Sequence, residues 1–247
     1  LYAIGAGSQV VGVDKFSTYP PNAPRTSFTG NESSAEDYLP ERPDLVVLFN
    51  DANNLVGQLN KLHIPVLVAP AATTIGQADR QIVELGAATG HEANARREVS
   101  AVDSDLDRVV GSVDGRGHGA TYYVELDQTY YSATSKTFIG ALFNRFGMVN
   151  IADPAGHGSD YPQLSAEYVL KASPDYVFLA DTICCAQSAE TFAARPGFSN
   201  LKAVDLGHVI GVNDSVASEW GPHSLEAMVK VIAQALTTRH AAGSGGA

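Results

Sequence analysis

The sequence predicts an α/β protein built as two lobes joined by one long helix. Three observations carry that prediction. Strand and helix patterns alternate along most of the 247 residues. One long amphipathic stretch, free of Gly and Pro until its end, lies near the middle. A helix–turn–strand segment recurs on either side of that stretch. The length, with 45% hydrophobic residues, is enough to bury one large core or two modest ones.

The elements follow in order. Val10 to Val13 reads as a short strand ending before the turn Tyr19-Pro20-Pro21. Residues 44–49 form a continuous apolar run, the pattern of a parallel strand buried on both faces. Residues 55–62 read as a helix, 64–68 as a strand, and 75–89 as a helix stopped by Gly90. Such alternation with short connections is the mark of an α/β unit. From Glu92 to about Val113, apolar residues recur at Val99, Val102, Leu106, Val109 and Val110 with charges between them. That is one amphipathic helix of about 20 residues, or about 30 Å. After a glycine-rich loop at 111–119, the spacing predicts a strand at 121–126, helices at 136–146 and 165–172, and a strand at 175–179. A strand pair is expected within 202–212 and a closing helix at 222–238. The tail Ala242-Gly243-Ser244-Gly245-Gly246-Ala247 lacks side chains that could pack and is expected to be disordered.

The repeat is specific. Ala35-Glu36, Leu39, Pro43-Asp44, Val46 and Leu48 recur as Ala166-Glu167, Leu170, Pro174-Asp175, Val177 and Leu179, all at an offset of 131 residues. Tyr19-Pro20 precedes one copy and Tyr161-Pro162 the other. Related units flanking one long helix predict an N-terminal lobe at 1–90, a bridging helix at 91–113 and a C-terminal lobe at 114–247.

Charge and motifs exclude several classes of function. A formal net charge of −11 opposes binding to nucleic acid or anionic lipid. Gly5-Ala6-Gly7 has the wrong spacing for a dinucleotide loop, and both glycines are expected at a helix C-terminus with positive φ. Gly115-Arg116-Gly117-His118-Gly119 follows a helix and precedes a strand, the reverse of a phosphate-binding order. No Walker A sequence and no GxSxG elbow occur. His91-Glu92 begins a zincin-like string, but Ala95 stands where the second histidine belongs. None of the seven histidines, His240 among them, forms an i, i+2 or i, i+4 pair, and His157 and His223 sit in loops beside aromatic residues. The two cysteines, Cys184 and Cys185, are adjacent, which gives neither a disulfide framework nor a CxxC motif, and two reduced thiols are expected. No catalytic constellation emerges, so the expectation is a binding protein and not an enzyme.

An ordered set of short stretches resembles the ABC-importer binding proteins with a rigid helical backbone, the family of periplasmic ferric-siderophore, haem and vitamin B12 receptors. The stretches are residues 1–13 with Gly-Ala-Gly, Tyr19-Pro20-Pro21-Asn22-Ala23, Arg42-Pro43-Asp44-Leu45-Val46, residues 59–66, residues 161–170, residues 173–178 and residues 203–209. They span nearly the whole chain in family order. Members usually open with a strand and loop before the helix ending in Gly-Ala-Gly, and that element is absent from this sequence.

The resemblance implies two Rossmann-like α/β lobes joined by one long rigid helix, with a ligand cleft between them. The positions matching family ligand sites are Tyr19, Asn50, Tyr131, Tyr161 and Trp220, with Tyr130, Glu219 and His223 as neighbours. Aromatic walls suit flat, bulky ligands, and tyrosine phenolate can bind haem iron. The expected ligand is therefore an iron chelate, a ferric siderophore or haem, with vitamin B12 as the alternative; no resident cofactor is expected and a metal site is left open. An α/β enzyme or an envelope scaffold on the same fold is the alternative from another class. The expected partner is an ABC permease dimer, docked through Glu36 and Glu167, with the protein itself a monomer. The expected location is extracytoplasmic, either free in a periplasm or held as a lipoprotein.

Overall fold

A computed structural model describes residues 1–29 and 32–238 of the chain. The predicted disorder of the tail and the position of His240 lie outside the described residues. The fold is mixed α/β and separates into two compact units. The first comprises Leu1–Ala72 and Asp79–Val99; the second comprises Thr73–Ala78 and the chain from Ser100 onward. The division falls inside the long central helix and not at its ends.

The first unit opens with a single closed turn. The Ala6 and Gly5 amides donate to the Leu1 and Tyr2 carbonyls at 3.1 and 3.0 Å, and Gly5 has φ +86°. This paired closure is the Schellman arrangement that ends helices, and it needs a left-handed residue at Gly5. Gly7 has a different role from the one expected. Its φ is not positive, and a Cβ there would lie 2.5 Å from the Tyr2 ring. The strand expected at Val10 to Val13 reduces to one bridge between Val13 and Arg25.

Two parallel strands follow, β1 (Val46–Leu48) and β2 (Val66–Val68), paired Val46 to Val66 and Leu48 to Val68. Helix α1 (Leu55–Lys61) connects them, and Val46, Leu48, Leu55, Leu59 and Ile64 share a core with Ala35 and Tyr38. The apolar run at β1 is not buried on both faces, because Val47 is exposed. Two long helices come next, α2 (Ile75–Thr89) and α3 (Glu92–Ser112). Within the first unit, Ile4 and Ala6 pack with Ile82 of α2 and Ala95 of α3. A Cβ on Gly86 would sit 2.4 Å from that of Ala95, so a glycine is required for this approach. On α3, Ala95, Val102 and Leu106 are buried, while Glu92–Arg96 and Asp105–Arg108 pair on exposed turns.

The second unit holds a four-stranded, all-parallel sheet in the order β4-β3-β5-β6. Its strands are β3 (Thr121–Glu125), β4 (Val149–Asn150), β5 (Tyr176–Leu179) and β6 (Val209–Gly211). Helices α4 (Phe138–Arg145), α5 (Ala166–Ala172), α6 (Ala189–Ala193), α7 (Lys202–Asp205), α8 (Asp214–Ser218) and α9 (Pro222–Thr237) surround it. The strand pair expected within 202–212 is instead α7 followed by β6 alone. The period-two alternation of strands sorts the core into two layers. Tyr122 stacks on Phe143 of α4 at 4.0 Å, and Phe143 meets Phe178 edge-on at 4.8 Å. On the opposite face Tyr123, Val177 and Leu179 pack with Val169, Phe192, Phe198 and Leu201.

The repeat is visible in the backbone. Ser34 and Ser165 are the N-caps of the two copies, and Arg42 and Ser173 close them in left-handed conformation with φ 45° and 40°. The copies differ in one respect. Ala35–Glu41 is a 3₁₀ helix containing Pro40, whereas α5 is α-helical with Lys171 at the equivalent place. Proline has no N–H to donate and crowds the preceding turn, which disfavours the α-helical ladder in the first copy.

Candidate functional site

In parallel α/β sheets, ligands settle outside the carboxyl ends of the strands where the strand order reverses. In the second unit the chain passes from β3 to β4 on one side and returns to β5 on the other side of β3. The reversal therefore lies between β3 and β5, and the loops leaving those strands define the candidate site.

The loop after β3 carries Tyr131. It is pinned at its root, where the Leu126 amide donates to the Tyr131 carbonyl at 2.8 Å and the Ser132 hydroxyl donates to the Val124 carbonyl at 2.7 Å. It is also zipped against the segment carrying Tyr161. Tyr131 and Gln163 form an antiparallel bridge, the Ser132 amide donates to the Pro162 carbonyl at 3.0 Å, and the Thr134 amide to the Asp160 carbonyl at 2.9 Å. These bonds set Tyr131 and Tyr161 on neighbouring segments, 41% and 54% exposed. Burial, and then the adjacent Asp160 carboxylate, raises the Tyr161 phenol above its ordinary pKa. Tyr130 belongs elsewhere: half-buried, it packs on Phe198 with centroids 6.1 Å apart.

Glu219, Trp220 and His223 lie where α8 gives way to α9. Glu219 and Trp220 are half-buried and His223 is exposed. The Ser224 hydroxyl donates to the Glu219 carboxylate at 3.2 Å, tying the carboxylate to the first turn of α9. Tyr19 and Asn50 belong to the first unit. Tyr19 is 55% exposed. Asn50 follows β1 and accepts the Ala52 amide at 3.0 Å, another polar residue at a carboxyl strand end. A groove of about 310 Å³ in the first unit, lined by Val11, Arg25 and Phe28 among others, contains neither of them. Glu36 and Glu167 are both exposed, each the second residue of its helix.

The same edge of the second sheet holds a cluster that motif reasoning passed over. Glu125 ends β3 and Asp181 lies two residues past β5, and both are wholly buried. The alternation that turns Tyr123 to the aromatic layer turns Glu125 the same way, and likewise Leu179 and Asp181. Arg195 meets Glu125 through two bonds of 2.7 and 2.6 Å and donates to Gln187 at 2.7 Å. Its guanidinium lies 4.9, 5.5 and 5.8 Å from the ring centroids of Phe192, Tyr130 and Phe198. A bidentate, aromatic-lined pair of this kind suits arginine and not lysine. Neither carboxylate oxygen of Asp181 has a hydrogen-bond partner. Burial, and then the Glu125 carboxylate, pushes the Asp181 carboxyl from 3.8 up to about 7. The available signal was the position itself: a carboxylate closing an apolar parallel strand. Among the described residues no three His, Cys, Asp or Glu side chains assemble as a metal site, and no helix is long and apolar enough to cross a membrane.

Parallel sheets with polar and aromatic groups at their carboxyl edges, together with the long helix α3, define an α/β ligand-binding architecture. The chain belongs to the periplasmic binding protein family, whose model matches residues 1–216. It is 30% identical over 240 residues to a cobalamin-binding protein of Halobacterium salinarum, an alignment covering 94% of this chain and 64% of that protein. The chain thus spans somewhat less than two thirds of that relative. Among solved structures it resembles a periplasmic haem-binding protein from Roseiflexus sp. RS-1, with a TM-score of 0.81, 21% identity and coverage of 96% and 94% of the two chains. It also resembles the periplasmic vitamin B12-binding protein of Vibrio cholerae, with a TM-score of 0.77, 22% identity and coverage of 95% and 91%.

Proposed function

We propose that the chain is the extracytoplasmic ligand-capturing component of an ABC importer, and that its ligand is a corrinoid. The observation that carries the ligand is the 30% identity, over 94% of this chain, to a cobalamin-binding protein. The chemistry of the candidate positions supports it. Tyr19, Tyr131, Tyr161 and Trp220 offer aromatic faces, and Asn50 offers an amide. A corrin is broad, flat and rimmed with carboxamides, so it calls for aromatic area and neutral hydrogen bonding more than for arginines. The protein acts by binding and not by catalysis, works as a monomer, either free or lipid-anchored, and delivers its ligand to a permease dimer.

Haem is the second reading, favoured by the fold likeness to a haem-binding protein. It needs an axial iron ligand, and a tyrosine would supply one as phenolate. The raised phenol of Tyr161 works against that at this position. Titration with cyanocobalamin and with haemin, followed by calorimetry and visible spectra, separates the readings. Cobalamin is expected to bind at least about tenfold more tightly, a difference of about 1.4 kcal/mol. A shifted Soret band without cobalamin binding transfers the assignment to haem, and heat from neither ligand removes both. Trp220→Ala should weaken the ligand by about tenfold or more, since buried aromatic anchors dominate contact energies, while the thermal midpoint moves little.

A further inference from the structure

The loop leaving β5 carries the adjacent thiols, and the function proposed above leaves them unused. Both cysteines are free, with Cys184 exposed and Cys185 half-buried. The loop is held from two sides. The Asp214 carboxylate accepts the Ile183 and Cys184 amides at 3.0 and 2.8 Å and the Thr182 hydroxyl at 3.2 Å. The Asp181 carbonyl accepts the Cys185 and Gln187 amides, each at 3.3 Å. Two thiols on adjacent residues of a tethered loop, one of them open to solvent, form a dithiol that an incoming disulfide can reach.

We propose that Cys184 and Cys185 form a reversible redox modification site whose co-reactant is a disulfide, RSSR. One thiol loses its proton and attacks RSSR, giving a mixed disulfide and releasing RS⁻. The neighbouring thiol then displaces the second RS⁻ and forms the Cys184–Cys185 bond. The two cysteine protons leave with the two RS⁻ as two RSH, and the pair loses two electrons to RSSR. Adjacent residues can close only a small, strained ring. Strained disulfides have more oxidising potentials and belong to the labile kind, so the bond is a switchable modification and not a structural clamp. Hydrogen bonding to the Cys185 sulfur, then burial and the Asp214 carboxylate, raises the Cys184 thiol to about 12. Exchange is therefore slow at neutral pH and accelerates in alkali. Closure resets the backbone between the Asp214 and Asp181 anchors. The loop's next polar side chain, Gln187, accepts from Arg195, so the change reaches the ion pair at the sheet edge.

The site is independent of which ligand the protein carries. Its test is treatment of the folded, reduced protein with glutathione disulfide, followed by intact mass and free-thiol titration. The two thiols should disappear together, with loss of the mass of two hydrogens and no glutathione retained, and excess glutathione should restore both. Cys184→Ser and Cys185→Ser should each retain one glutathione, which shows that either thiol is reachable and that its neighbour resolves the adduct. A lasting glutathione adduct on the unsubstituted protein, a covalent dimer, or two thiols that survive excess oxidant in the folded protein would each overturn the proposal.

Discussion

Asp181 concentrates the electrostatics of the second unit in one side chain. Its carboxyl is wholly buried without a hydrogen-bond partner, while Glu125 beside it already holds Arg195. The folded carboxyl titrates at about 7 against an ordinary 3.8. The folded chain therefore retains a proton that the unfolded chain releases between those values. The stabilisation this gives is complete below about pH 4 and is lost as pH rises through 7. Asp181→Asn removes the ionisation and keeps the shape. Its thermal midpoint should exceed that of the unsubstituted protein at pH 8, with the gap narrowing steadily towards pH 5; a constant gap across that range would show that Asp181 does not titrate there. Arg195→Met should do the opposite and lower stability by about 3–5 kcal/mol in urea, because Glu125 would be left buried without its cation. The sequence made Tyr131 and Tyr161 legible as exposed loop aromatics. It hid the cluster, because Glu125 is far along the chain from Asp181 and Arg195, and only the β3–β5 register and the Arg195–Glu125 ion pair bring them together.

Elements with strong local signals were legible, and those that depend on tertiary partners were not. Helix α2 spans the predicted residues, and α3 ends one residue before its predicted limit. In both, the apolar spacing, the stop at Gly90 and the polar face all point the same way. Val10 to Val13 has β-branched residues, but only Val13 finds a bridging partner, so no strand extends. Strand β4 is two residues long and owes its existence to pairing with β3, which no local pattern announces. Residues 202–205 show no helical signal in the sequence, because Lys202-Ala203-Val204-Asp205 makes a single helical turn, too short to show periodicity. The repeat is the sharpest local signal, and its caps can be tested. The Ser165 side chain accepts the Tyr168 amide at 3.1 Å. Ser165→Ala should lower stability by about 1 kcal/mol in urea unfolding, whereas Ser165→Asp should preserve it. Equal losses from both would mean that the hydroxyl serves something other than the helix end.

At the scale of the whole molecule, the duplication gives each unit one exposed glutamate at the start of a repeat helix, Glu36 and Glu167. The local explanation is the helix macrodipole, which favours a carboxylate in the first turn by about 0.3–1 kcal/mol. That effect accounts for an acid within the turn but not for the same acid at the same repeat position in both units. Under the function proposed above, a two-fold permease partner would present the same surface twice, and duplicated charges would answer it. Charges at such a contact chiefly steer encounter and fix orientation, so their removal acts on association more than on ligand capture. The expected result for Glu36→Lys combined with Glu167→Lys is loss of ligand uptake in cells that carry the permease. Ligand affinity of the isolated protein should stay unchanged, and stability should fall by no more than about 4 kcal/mol, because each reversal removes one such dipole effect and adds its opposite. Each single reversal should give an intermediate rate that worsens as ionic strength rises, because screening weakens the one attraction left. Normal uptake by the double variant would return both glutamates to the purely local role. Lost affinity in the isolated protein would instead place them in the ligand site.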